Sequence, residues 1–152
     1  MKYTVSLFSL FAVICLTAAI PPDYVKKISS YIETCTQKHG TNKDDVMKVL
    51  LEKVLPETHD LKCTLDCYMG EAGYIKEGKL DWEAAKASNV EKYSDDPESL
   101  EKANKIVDTC KEKVNIDGKK ECEFSDVILD CIYAESKAVN LKTPDFLKAA
   151  KE

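Results

Sequence analysis

An all-α bundle of six to seven helices is the fold class this sequence predicts, on three observations. Only five glycines and five prolines occur in 152 residues, which leaves room for long helices. Apolar residues recur three and four positions apart through most of the chain. No stretch alternates apolar with polar residues as a half-buried strand would, and no internal repeat or low-complexity segment intervenes.

The first segment stands apart from that pattern. "MKYTVSLFSLFAVICLTAAI" has Lys2 at its front, an apolar run from Val5 to Ile20, and the small residues Thr17, Ala18 and Ala19 at its close. That is the layout of a secretory signal peptide. A spanning helix wants ~20 apolar residues. This run is shorter and carries Ser6 and Ser9. The expectation is a signal peptide over 1–19, a helical domain over 20–152, and a secreted, extracellular product.

The helices follow in order. "PPDYVKKISSYIETCTQKHG" opens with Pro22 near a first turn, spaces Tyr24, Val25, Ile28, Tyr31, Ile32 and Cys35 helically, and stops at Gly40. "TNKDDVMKVLLEKVLP" has Asn42 as N-cap and acids in its first turn. Its apolar face is Val46, Met47, Leu50, Leu51, Val54 and Leu55, and Pro56 ends it. Thr58 caps a third helix carrying Leu61, Cys63, Leu65, Cys67, Tyr68 and Met69. A turn built from Gly73 and Gly78 follows, and then a short helix, "DWEAAKASN", capped by Asp81. "YSDDPESLEKANKIVDTCKEK" is a fifth helix, with Pro97 in its first turn and Leu100, Ala103, Ile106, Val107 and Cys110 facing inward. After the turn "NIDGKK", "ECEFSDVILDCIYAESKAV" is a sixth. The tail "LKTPDFLKAAKE" has Thr143 as a cap, Pro144 at the first helical position, and Phe146 with Leu147 as an apolar pair.

Charge narrows the function classes. All 22 basic residues are lysine. Without Lys2 of the leader, 21 remain against 27 acids, a formal balance of −6. Nucleic acid demands a basic surface, so no nucleic-acid partner is expected. An anionic membrane surface is disfavoured for the same reason.

Cysteine usage points to crosslinks. Seven cysteines become six once Cys15 leaves with the leader: Cys35, Cys63, Cys67, Cys110, Cys122 and Cys131. An even number in a short secreted chain reads as a disulfide framework. Cys63 and Cys67, four apart on one helix, share a side and are poorly arranged to bond to each other. Cys122 and Cys131, nine apart on a helix, fall on opposite faces ~13 Å apart along it. The third and sixth helices therefore take two crosslinks each, with Cys35 and Cys110 as the other ends. Several of the fifteen connectivities survive that argument.

The intervals between the six cysteines are 27, 3, 42, 11 and 8 residues. The three after the second cysteine and the eight after the fifth resemble the six-cysteine signature of the insect odorant-binding proteins, the pheromone and general odorant binders. The resemblance covers Cys35 to Cys131, and "GYIKEGKLD" after the third cysteine is also similar. It implies the interlocked pairing Cys35–Cys67, Cys63–Cys122 and Cys110–Cys131. In the loop-entropy model, whose basis is disputed, each bridge contributes roughly 3–4 kcal/mol.

Other readings of these residues are weaker. His59, Cys63 and Cys67 form an i, i+4, i+8 ladder with zinc-ligand chemistry, but oxidised sulfurs cannot ligate as thiolates. A redox pair would use a two-residue gap. "HDLKC" resembles the histidine–aspartate helix of secreted phospholipases A2, yet the calcium loop and the cysteines before the histidine are missing. Saposin-like lipid-interacting proteins cluster their cysteines near the chain ends, whereas these lie through the middle. Neither a catalytic centre, a metal nor a cofactor is expected.

The functional expectation is a carrier that binds a small hydrophobic ligand, such as an odorant or pheromone, without chemistry. Crossed bridges can hold helices apart around an internal apolar cavity that would otherwise destabilise the fold. "CTLDC" is then the central staple and "YMGEAGY" begins the pocket lining. The candidate ligand-binding residues are Leu51, Val54, Met69, Tyr74, Ile75, Trp82, Ile128, Ile132 and Phe146. Tyr68, Tyr74 or Tyr133 could hydrogen-bond a polar head group. The resemblance also implies a weaker form of pH-driven gating of the pocket by the tail, which carries Asp145 and Glu152. A membrane receptor is the partner expected on delivery, and the expected state is a monomer or weak homodimer. A lipid or amine carrier of saliva, haemolymph or reproductive fluid is the alternative role.

Overall fold

The computed structural model describes residues 22–142. The expected signal peptide and the tail with Phe146 lie outside the described residues. Six helices follow one another: α1 (Pro22–His39), α2 (Lys43–Glu52), α3 (His59–Glu71), α4 (Trp82–Lys92), α5 (Pro97–Lys113) and α6 (Phe124–Ala138).

Local chemistry sets most boundaries. Asn42, Thr58, Asp81 and Asp96 each accept a hydrogen bond from the backbone N–H three residues on, which satisfies a donor the helix leaves open. Pro97 occupies the first turn of α5, where its missing N–H costs nothing. Gly73 stops α3 in the left-handed region at φ +79°, and the Tyr74 N–H returns to the Met69 carbonyl at 2.8 Å.

Two boundaries differ from the sequence expectation. α2 ends at Glu52, because Lys53 turns left-handed at φ +53°. Val54 and Leu55 therefore leave the helical face and stay exposed, at 39% and 42%. α6 begins at Phe124, so Cys122 sits in the preceding turn at φ +70° and not on the helix. The cap comes from another helix. Glu123 makes no side-chain cap, and buried Asp66 of α3 accepts the N–H groups of Phe124 (3.1 Å) and Ser125 (2.7 Å).

Where a turn was expected, the chain forms a small antiparallel hairpin, β1 (Ile75–Lys76) with β2 (Lys79–Leu80), in register Ile75–Leu80. Glu77 and Gly78, at φ +52° and +71°, make a two-residue loop with both residues left-handed. The class remains all-α.

α3 is the central element, packing on α1, α2 and α6, while α5 packs on α4 and α6. Ile32, Val46, Met47 and Leu65 are fully buried around it. The bridges are Cys35–Cys67, Cys63–Cys122 and Cys110–Cys131, closing intervals of 32, 59 and 21 residues. Each interval contains an end of another, so the bridges interlock.

Candidate functional site

A cavity of about 220 Å³ lies between α1, α3, α4, α5, α6 and the hairpin. Each helix contributes one stripe of side chains at helical spacing. α1 supplies Tyr24 and Ile28; α3 supplies Leu65, Tyr68 and Met69; α5 supplies Ala103, Ile106 and Val107. α6 supplies Ile128, Leu129, Ile132 and Tyr133, and the hairpin segment adds Tyr74 and Leu80. On α3 the stripe lies opposite Cys63 and Cys67 at ~100° per residue. The bridges thus hold the back of the helix whose front forms the wall.

α4 closes the other side with a more polar stripe: Trp82, Ala85, Ser88, Asn89 and Lys92. The Ser88 hydroxyl joins Tyr24 (3.0 Å) and Tyr74 (2.7 Å), and Asn89 donates to Asn104 of α5 at 3.2 Å. Burial pushes the Tyr24, Tyr68, Tyr74 and Tyr133 hydroxyls above the usual phenol range, so all four are neutral donors at neutral pH. Tyr133 donates to the Val49 carbonyl at 2.9 Å. The Tyr68 hydroxyl makes no hydrogen bond among the described residues. Burial, reinforced by the charge on Lys53, lowers the Lys92 amine to about 8.

Of the nine candidate ligand-binding residues, Met69, Tyr74, Trp82, Ile128 and Ile132 meet in this cavity. Leu51 and Ile75 are not in its wall and pack partly buried against the core. Val54 is on the surface because α2 stops short of it. Phe146 is outside the described residues. Tyr24, Ser88, Tyr93 and Lys92 line the cavity and were not singled out from sequence. For α4 a signal existed, because Ala85, Asn89 and Lys92 continue the helical stripe that starts at Trp82.

The zinc reading has a geometric echo: His59 lies 3.6 Å from the Cys63 sulfur, with Cys122 close by. Both sulfurs are spent in one bridge, so the cluster offers no thiolate. No helix among the described residues is long and apolar enough to cross a membrane.

Crosslinked helices around a partly open, mostly apolar chamber define a small-ligand-binding class of fold. The model of the PBP/GOBP family matches residues 17–135, and the chain belongs to that family. Among solved structures it is similar to the odorant-binding protein OBP28a of Drosophila melanogaster. The match has 27% identity and a TM-score of 0.65, covering 78% of this chain and 97% of that one. A comparison with curated proteins finds no significant match.

Proposed function

We propose that the protein is a secreted carrier that takes a small hydrophobic ligand, such as an odorant or pheromone, into the cavity and releases it unchanged. The observation that carries this is the apolar chamber of about 220 Å³ held open between crosslinked helices. Family membership and the likeness to an odorant-binding protein support the same reading. Binding draws on hydrophobic burial, at ~0.8 kcal/mol per buried CH₂ before the costs of association. The signal-peptide layout read in the sequence over 1–19 supports secretion. Delivery to a receptor and the monomer or weak-dimer state belong to the same proposal. A carrier of lipids or amines outside olfaction uses the same cavity, and tissue expression separates the two roles.

Native mass spectrometry of the secreted protein, before and after organic extraction, tests the reading. The expected result is a mass lower by six hydrogens for three bridges, an absent leader, and a small apolar adduct that extraction removes. Protein that takes up no apolar molecule, either in its source fluid or when offered one after extraction, would overturn it.

A further inference from the structure

The cavity is not uniformly apolar. Lys92 lies in its wall, one helical turn beyond the Tyr24–Ser88–Tyr74 cluster. Its ammonium has no hydrogen bond and no carboxylate partner among the described residues, and it lies over the Tyr93 ring, 5.1 Å from the ring centre. Lys92 is half-buried, and an ammonium drawn partly out of water without a counter-ion is costly.

The surrounding charges sharpen the point. From the end of α2, Lys53 faces Lys92, and its own ammonium donates to the Leu141 carbonyl at 2.8 Å. From the segment after α6, Lys142 lines the same cavity. α6 presents the Tyr133 and Ser136 hydroxyls, and α5 presents only apolar Ala103, Ile106 and Val107. Three carboxylates nearby in sequence are engaged elsewhere. Glu91 pairs with Lys27, Asp81 pairs with Lys76 and caps α4, and Asp96 caps α5. Among the described residues, one end of the chamber therefore carries the Lys92 ammonium, and the carboxylate in the cavity wall, Asp81, is already paired with Lys76.

We propose that the Lys92 end of the cavity is a head-group subsite for the carboxylate of a fatty-acid-like amphiphile, whose alkyl chain lies along Ile106, Ile128 and Ile132. This rests on the carrier reading and names its ligand class. A carboxylate supplies the missing counter-ion, and a charge-assisted hydrogen bond to an ammonium is roughly twice as strong as a neutral one. The bound anion also holds the proton on Lys92, so affinity falls as pH rises past about 8.

The test is calorimetric titration of the extracted full-length protein with decanoate, decanol and decylamine, which share one alkyl chain. At pH 7 decanoate is expected to bind ~tenfold more tightly than decanol, with decylamine weakest. Raising the pH to 9.5 should erode the decanoate advantage and leave decanol unchanged. In Lys92→Met the preference for decanoate should vanish, and in Lys92→Arg it should persist, with thermal unfolding confirming that both variants fold. Equal binding of decanoate and decanol by the wild type, or a preference that survives in Lys92→Met, overturns the subsite while leaving the carrier intact. Failure of all three probes to bind overturns the carrier reading itself.

Discussion

α3 and α4 face each other across the cavity and are held in opposite ways. α3 buries Leu61, Cys63, Thr64, Leu65, Asp66 and Met69 and takes two disulfides. α4 has no buried residue and no cysteine. Polar fasteners hold it: Tyr24 and Tyr74 to Ser88, Asn89 to Asn104, and the ion pairs Lys27–Glu91 and Lys86–Asp108. Exposed ion pairs contribute little, about 0–1 kcal/mol each. The contrast teaches that one wall is built for permanence and the other for local opening, which a binding cavity needs if its guest is to enter.

Substitutions on the two sides should separate accordingly. The largest loss is expected from removing the central bridge with Cys63→Ser and Cys122→Ser. The 59-residue interval it closes predicts a loss of about 4 kcal/mol, read by urea unfolding. Leu65→Ala, at a fully buried position, should cost about 3 kcal/mol in the same assay. Asp66→Ala strips the cap of a different helix and leaves two backbone donors without their carboxylate. It should cost about 2 kcal/mol, with the loss of helicity centred on the start of α6. On the α4 side, Asp81→Ala removes an ordinary N-cap and should cost only about 1 kcal/mol. Equal losses at Asp66 and Asp81 would break the comparison.

Titration should give a smaller effect than loss of the central bridge, and its sign follows from the wall residues. Lys92 is held at about 8 in the folded protein, against an ordinary 10.5. Between those values the unfolded chain binds more protons, so the free protein should gain stability as pH rises through that window. The buried hydroxyls of Tyr24, Tyr68 and Tyr133 act the other way. Burial raises them above the ordinary 10.0, so the unfolded chain ionises first and stability is lost above pH 10. Urea midpoints from pH 7 to 11 should climb modestly toward pH 9.5 and then fall. Lys92→Met should remove most of the climb, leaving the smaller contribution of Lys53, which burial also lowers.

The same contrast explains what could be read in advance. The α3 side was legible because its signals are local and strong: a Thr58 cap, cysteines at i and i+4, and an apolar stripe. Met69, Ile128 and Ile132 are core-like residues on such stripes, and the structure places them in the wall. The pairing of the cysteines rested on the family signature, since helical geometry left several connectivities open. What escaped was set by tertiary context. The left-handed Lys53 removes Val54 from its helical face, and no local residue marks that stop. Cys122 lies before its helix because Asp66, 56 positions earlier in the sequence, supplies the cap. A wheel drawn on one helix assigns a face, but a cavity exists only where several faces fail to meet. Lys92 escaped for that reason, since an isolated lysine on a polar helix reads as solvated.

Amide hydrogen exchange with and without decanol tests the central claim most directly, because it reads both walls of the cavity at once. The account predicts fast exchange across α4 in the free protein, marked slowing there when the ligand binds, and little change in the already protected amides of α3. A bound ligand that leaves α4 exchange unchanged, or protects amides away from the cavity instead, would contradict it.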